Sequence, residues 1–293
     1  MSYQFAKFLG WLSLRLSSAG QKYLGRFLGY MVWMVIAPKR KQVAVANIMA
    51  TLYVSRAEAS KIAKKSVARF GKMVVDMFTY PCLTRESIGQ ILRIHGAENL
   101  DEALALGRGV VMASGHCGNW ELMGTGLAFY GYPMIAVAKK QEQNSGFEKF
   151  LCEYRVMGGG KILYTTDVRD IVRVLRQNQI PLIFFDHDVL PNGVWIDFLG
   201  RQTSTPPGAA VLARIADSPI VPAFVTEAPD GTHDLYIYPP LWVDKQENKE
   251  DAVKETMQNL SHLLEAHIRK HPHEWFWLHN RWRPLKTNRD QGK

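Results

Sequence analysis

The sequence predicts an α/β fold with a mixed central sheet flanked by helices, preceded by an N-terminal helical segment that contacts a membrane. Three observations predict it. From about residue 90, short apolar runs alternate with helical segments; the first 80 residues are helical in pattern; and the excess basic charge lies almost wholly in those 80 residues. A chain of 293 residues, 47% of them hydrophobic, can bury a full core. The expected division is a basic amphipathic membrane-associating region over 1–80 and an α/β domain over 81–293.

Residues 1–80 carry thirteen Lys or Arg against Glu58 and Asp76, a balance of +11; the net charge of the chain is +9, so the remainder is at −2. A basic front suits an anionic membrane leaflet or nucleic acid. Nucleic acid is excluded because the cations are interleaved with Phe5, Phe8, Leu9, Trp11, Leu12, Phe27, Met31, Trp33 and Val35, an apolar load that a groove reader does not expose. Phe5, Phe8, Leu9, Leu12 and Leu16 recur at helical spacing, and Gly20 predicts a break. Residues 27–37 run without charge, short of the roughly 18–20 needed to span a bilayer, so an interfacial or hairpin anchor is expected in place of a transmembrane helix. Over 57–79, Ala63, Val67, Phe70, Val74 and Phe78 form a helical stripe that reads as core.

Strands are predicted over 91–94, 110–113, 134–138, 182–185, 194–198 and 220–226, with 234–238 at an edge ahead of Pro239 and Pro240. Helices are predicted over 100–106, 120–129, 147–155, 168–177, 208–216 and 249–270. A basic tail holding Arg281, Arg283, Lys286, Arg289 and Lys293 closes the chain.

Chemistry in α/β sheets gathers at strand ends, and the strand at 110–113 runs directly into Ser114, Gly115, His116, Cys117, Gly118, Asn119, Trp120 and Glu121. On one continuous helix His116 and Glu121 would point about 140° apart. Gly115 and Gly118 permit a sharp turn and Asn119 is a natural N-cap, so His116 is expected to sit in the loop and fold back over Glu121. A carboxylate on one imidazole nitrogen leaves the other as a general base. With no enzyme serine in the set, the attacking group is the substrate's own hydroxyl. Backbone amides around Gly115, Gly118 and Asn119, helped by the helix dipole, are the expected oxyanion donors, with Lys139 or Arg155 as further candidates for the oxyanion or a lipid phosphate. Cys117, the rival nucleophile, has no separate base beside it and reads as a small buried filler.

Asp186, His187 and Asp188 invite a metal, but no second histidine cluster accompanies them; Asp186 is expected to shape the acceptor pocket or to close the site by hydrogen bonding. Gly158, Gly159 and Gly160 lack the Lys-Ser/Thr of a phosphate loop and read as a turn. His262, His267, His271, His273 and His279 read as surface. The three cysteines, Cys82, Cys117 and Cys152, stand at unrelated spacings and read as free thiols.

The stretch SGHCGNWELMG resembles the His-four-residues-Asp/Glu motif of the glycerophospholipid and lysophospholipid acyltransferase superfamily, and in its GNWE form the lipid A biosynthesis lauroyl and myristoyl acyltransferases. AVAKKQEQN, FFDHD, DFLGRQTSTPPGAAVLAR, IVPAF and EWFWLHNRW follow in that family's order, so the resemblance runs from about Pro38 onward. It implies a glycerolipid acyltransferase-like fold, His116 and Glu121 as catalytic residues, and Lys139, Asn144, Arg155 and Asp186 as substrate-binding residues. It also implies an O-acyltransferase with no cofactor or metal, taking its acyl chain from acyl carrier protein or coenzyme A. The acceptor is then a glycolipid such as a lipid A precursor, or a lysophospholipid, at an anionic surface on the cytoplasmic face of the bacterial inner membrane. An esterase using the same pair on water, and a non-enzymatic membrane scaffold, are the competing classes. An acidic carrier protein is expected to be drawn to the cations between Lys61 and Lys72 and to the tail.

Overall fold

The computed structural model describes residues 3–138, 146–164 and 167–283. Four helices come first: α1 (Tyr3–Ser13), α2 (Ser18–Val35), α3 (Pro38–Leu52) and α4 (Arg56–Met77). The break expected at Gly20 lies earlier, because Ser17 caps α2 by accepting from the Gly20 amide, and the glycine falls inside the first turn. Pro38 opens α3 at a position where its missing N–H costs nothing. No helix among the described residues is long and apolar enough to cross a membrane.

Backbones of α2 and α4 approach closely because small residues face each other there. A Cβ on Gly71 would overlap the backbone of Gly29 and the carbonyl of Gly25, and one on Gly29 would overlap Ala68. Gly71→Leu is therefore expected to cost about 3 kcal/mol in thermal unfolding, from overpacking that the helices relieve only by separating.

The remaining strands are β1 (Leu92–His95), β2 (Val111–Ser114), β3 (Met134–Ala138), β4 (Lys161–Tyr164), β5 (Ile180–Phe184), β6 (Val194–Phe198), β7 (Arg201–Thr205), β8 (Ile220–Glu227) and β9 (His233–Ile237). The intervening helices are α5 (Ala97–Ala105), α6 (Trp120–Tyr130), α7 (Gly146–Arg155), α8 (Val168–Arg176), α9 (Gly208–Ala216) and α10 (Lys249–Lys270). Seven strands form one sheet in the order β1-β9-β8-β2-β5-β3-β4, while β6 and β7 pair as a separate antiparallel hairpin. The sheet is mixed because β9 runs antiparallel to β8 and parallel to β1. The run at 234–238, expected at an edge, is thus covered on its outer side by β1. Two strands escaped the apolar pattern: β4 is short and mostly unburied, and β7 is the polar run RQTST, supported by its partner β6.

One face of the sheet buries Val111, Phe224 and Leu264 together with Ala44 and Ile48 of α3 and Ala59 and Ile62 of α4, so the N-terminal helices share the core of the α/β body. The stripe expected on α4 is buried at Ala63, Val67 and Phe78. Burying such apolar surface stabilises at roughly 25 cal/mol per Å².

Candidate active site

Strands β2 and β5 are parallel neighbours, with Ser114 opposite Phe184. Two residues further on, past the C-terminal ends of both strands, stand His116 and Asp186, which the register delivers side by side. The Asp186 carboxylate accepts from the His116 backbone amide at 2.7 Å and meets His116 Nδ1 at 2.7 Å, and it also accepts from Trp275 Nε1 at 2.8 Å. Both ends of the histidine are thereby fixed by one carboxylate. The ring stacks on Phe184 with centroids 4.6 Å apart and takes the edge of Trp120 at 5.1 Å.

Behind the loop runs an extended segment, 274–276. Gly118 N donates to the Glu274 carbonyl at 3.0 Å, Phe276 N to the His116 carbonyl at 3.1 Å, and Cys117 bridges Trp275 in antiparallel fashion. Helix α4 clamps this strap: Ser66 Oγ donates to the Trp275 carbonyl at 2.5 Å and Arg69 Nη2 to the Glu274 carbonyl at 2.8 Å. Gly118 has φ +57°, and a Cβ there would collide with the Val225 backbone. Gly118→Ala is accordingly expected to lose at least about 2 kcal/mol of stability, measured by denaturant titration, since positive φ and overlap act together.

Burial alone would raise the Asp186 pKa, but the His116 charge and the hydrogen bonds from His116 and Trp275 hold it well below the usual carboxylate range. For His116, burial acts to lower the pKa and the charge of Asp186 to raise it, with Glu121 adding to the raising side; the net shift is upward. An ionised Asp186 at Nδ1 selects the Nδ1–H tautomer and leaves Nε2 basic. Among the described residues Nε2 makes no hydrogen bond, and the half-buried ring borders two cavities.

The pairing expected between His116 and Glu121 is corrected here. Glu121 lies in the first turn of α6, and both its oxygens are taken by Arg155 at the end of α7, at 2.8 Å from Nε and 2.6 Å from Nη2. Burial acts to lower the Arg155 pKa, but the Glu121 hydrogen bonds and charge outweigh it and the net shift is upward, so Arg155 stays charged. Arg155 thus spends two of its nitrogens inside the protein, and Asp186, expected to shape the acceptor pocket or close the site by hydrogen bonding, hydrogen-bonds the imidazole itself.

The expected oxyanion donors are also largely spent. The amides of His116, Cys117 and Gly118 bond to Asp186, Gly115 and Glu274, and Asn119 Oδ1 accepts from Leu122 N and Tyr80 Oη. Gly115 packs under Leu264, where a Cβ would come within 2.9 Å. Lys139 and Asn144 lie outside the described residues.

Cys117 is fully buried and burial pushes its thiol well above the ordinary range, so it holds its proton. Cys117→Ala is expected to change turnover by less than about threefold, checked by steady-state assay, because a small filler is replaced by a slightly smaller one. Asp188 pairs with Arg283, and Arg281 is buried against the carbonyls of His187 and Ser204, so these two arginines belong to the body and not to a basic tail; residues 284–293 lie outside the described part. Of the five histidines read as surface, His267 is in the core against Phe224, its pKa pushed down to about 3 by burial. Arg69 and Lys72, at 7% and 4% exposure, are paired with Glu274 and Asp76 and are not part of an open surface patch.

The two cavities differ in chemistry. One, of about 140 Å³, runs from His116 past Glu121 and Arg155 between α6 and the sheet, where Thr125, Met134 and Leu182 line it. The other, of about 240 Å³, is walled by Phe70, Trp120 and Phe276 with His187 and His279, two imidazoles whose pKa burial lowers. His116 is common to both.

The chain matches the family described as bacterial lipid A biosynthesis acyltransferase over residues 4–284. It is 27% identical to the phosphatidylinositol mannoside acyltransferase of Mycolicibacterium smegmatis over 224 residues, covering 75% of this chain and 71% of that protein. Similarity also extends to the lipid A biosynthesis lauroyltransferase of Escherichia coli, 22% identical over 67% of this chain and 63% of that protein. The lipid A biosynthesis acyltransferase of Haemophilus influenzae is 20% identical, over 67% of this chain and 60% of that protein.

Proposed function

Since the chain belongs to the bacterial lipid A biosynthesis acyltransferase family and is an acyltransferase, we propose that it moves a fatty acyl chain from a thioester to a hydroxyl of a glycolipid, with His116 as the general base. The observation that carries this reading is an imidazole held at Nδ1 by a buried, ionised Asp186, on a residue that borders both cavities and whose Nε2 makes no hydrogen bond among the described residues.

In this reading His116 Nε2 takes the proton from the acceptor hydroxyl as its oxygen attacks the thioester carbonyl. The tetrahedral intermediate collapses by expelling the thiolate, which recovers the proton from the imidazolium, giving an ester and a free thiol. Asp186 stabilises the transient imidazolium without taking its proton. The Glu121–Arg155 pair lines the same cavity as His116, and Nη1 of Arg155, which its bidentate contact leaves over, serves as a donor to the oxyanion. The cavity between α6 and the sheet, apolar at Met134 and Leu182, receives the acyl chain, and the aromatic one the acceptor. Acyl carrier protein or coenzyme A supplies the thioester. A lipid A precursor is the first choice of acceptor, and the identity to the mannoside acyltransferase supports a glycosylated phospholipid as the alternative.

We place the reaction on the cytoplasmic face of the inner membrane. Contact with a membrane surface is supported by α1 and α2, which expose Phe8, Trp11, Phe27 and Met34 near Lys7, Arg15 and Arg26. Mass spectrometry of membrane lipids with and without the gene tests the acceptor: a glycolipid lighter by one acyl chain in the deletion is expected. Release of free fatty acid from labelled thioester, with no labelled lipid, would instead mark a hydrolase.

A further inference from the structure

A second cavity system lies away from the reacting groups, between α2, α4 and the C-terminal end of β8, with a volume of about 570 Å³. Four permanent cations, Arg26, Lys65, Arg69 and Lys72, line it against two carboxylates, Glu227 and Glu274. Its floor is internally neutralised: Arg69 sits 3.3 Å from Glu274 and Lys72 2.7 Å from Asp76. Its mouth is not. There Glu227, 3.7 Å from Arg26, is shared with Lys72 at 3.9 Å, and Lys65 has no ion-pair partner among the described residues. Lys64 adds a cation at the rim, over the ring of Tyr30 at 5.1 Å. The histidines that border the cleft, His271 and His273, have pKa values lowered by burial and add no charge at neutral pH.

The mouth adjoins an apolar surface. On α2, Arg26 and Tyr30 border the cleft, and the neighbouring face of the same helix exposes Tyr23 (73%), Phe27 (60%) and Met34 (69%) at helical spacing. A cationic recess flanked by an exposed apolar stripe complements a molecule with a phosphate head and a hydrocarbon body.

We infer that this cleft receives the phosphate of an anionic phospholipid headgroup in the bilayer, at a site separate from that of acyl transfer. The inference rests on the membrane placement proposed above. It also supplies a consequence for catalysis through chain connectivity. Phe70, next to Arg69, and Phe276, two residues after Glu274, wall the aromatic cavity at His116, so the cleft and that cavity stand on opposite sides of the contact between α4 and the strap. A headgroup held at the cleft therefore orients the aromatic cavity relative to the lipid surface.

The test is co-sedimentation of the full chain with vesicles of phosphatidylcholine alone or containing phosphatidylglycerol. Arg26→Gln/Lys65→Gln is compared with a charge-matched pair on the far helix, Lys249→Gln/Lys254→Gln, and circular dichroism confirms folding; all four side chains are exposed. The cleft pair is expected to weaken binding to the anionic vesicles by at least about tenfold and the control pair by less than about twofold. Equal losses in both pairs would reduce the effect to general surface charge and overturn the site. Millimolar inorganic phosphate that protects the cleft while vesicle binding is unaffected by the cleft pair would assign it to a soluble phosphate group and overturn the lipid. Loss of carrier-protein binding alone would overturn it in favour of a protein partner. The assay reads binding only, so a negative result leaves acyl transfer by His116 untouched, whereas an active His116→Ala removes that mechanism and leaves the cleft.

Discussion

Asp186→Asn is expected to reduce acyl transfer by about 10³–10⁴-fold while leaving the fold intact, the scale set by removing the orienting carboxylate from a catalytic histidine. An ionised carboxylate at Nδ1 can only accept, which keeps the proton on Nδ1 and the lone pair on Nε2. An asparagine there can donate its amide N–H to Nδ1, which moves the ring proton to Nε2 and turns the base into a donor. The pH profile distinguishes this from simple misfolding. Burial lowers the His116 pKa but Asp186 and Glu121 bring it above its ordinary value, so wild-type turnover is lost as pH falls through that raised pKa. With the Asp186 charge gone, the residual activity should keep its plateau to lower pH. Glu121→Gln should move the same limb less, because its contribution to the shift is the smaller one. A larger displacement from Glu121→Gln than from Asp186→Asn would return the orienting role to Glu121.

The second large effect is on the Glu121–Arg155 pair. Arg155→Met leaves a buried carboxylate with no partner and is expected to cost about 2–3 kcal/mol, below the 3–5 kcal/mol of a fully enclosed pair because Arg155 keeps partial access to water. Combining it with Glu121→Gln removes the stranded charge and should recover most of the lost stability. Transfer should not recover, since Arg155 is then absent from the side of the cavity where the carbonyl reacts, and at least a tenfold loss is expected to persist. Thermal unfolding and turnover measured on the two single variants and the double separate these effects. Recovery of activity in step with stability would make the pair a structural brace only.

Much of the fold was legible because the apolar runs are long and well bounded. The strand at 134–138 and the helices at 208–216 and 249–270 coincide with β3, α9 and α10. What escaped was stabilised by partners and not by local pattern, as β7 is by β6. The site was legible in part. A glycine-flanked histidine directly after a buried strand marked His116, and burial of a lone small thiol followed for Cys117. The carboxylate was misassigned because sequence proximity favoured Glu121, five residues away, over Asp186, seventy residues away. Only the parallel pairing of β2 with β5 brings Asp186 to the ring, and strand order cannot be read from apolar periodicity. A signal was nevertheless present: both FFD and ASGH are apolar strands that end in a polar residue, and ligands collect where such ends meet. The pairing of Arg155 with Glu121 was not legible, because nothing in the sequence shows that the end of α7 meets the start of α6.

The most direct measurement is single-turnover transfer of a labelled acyl chain from its thioester to membrane glycolipid by the wild-type protein and by His116→Ala. Labelled glycolipid from the wild type, with at least a 10²-fold slower rate in the variant, is the result expected of a histidine base. Label passing to glycolipid at the normal rate without the imidazole would contradict it.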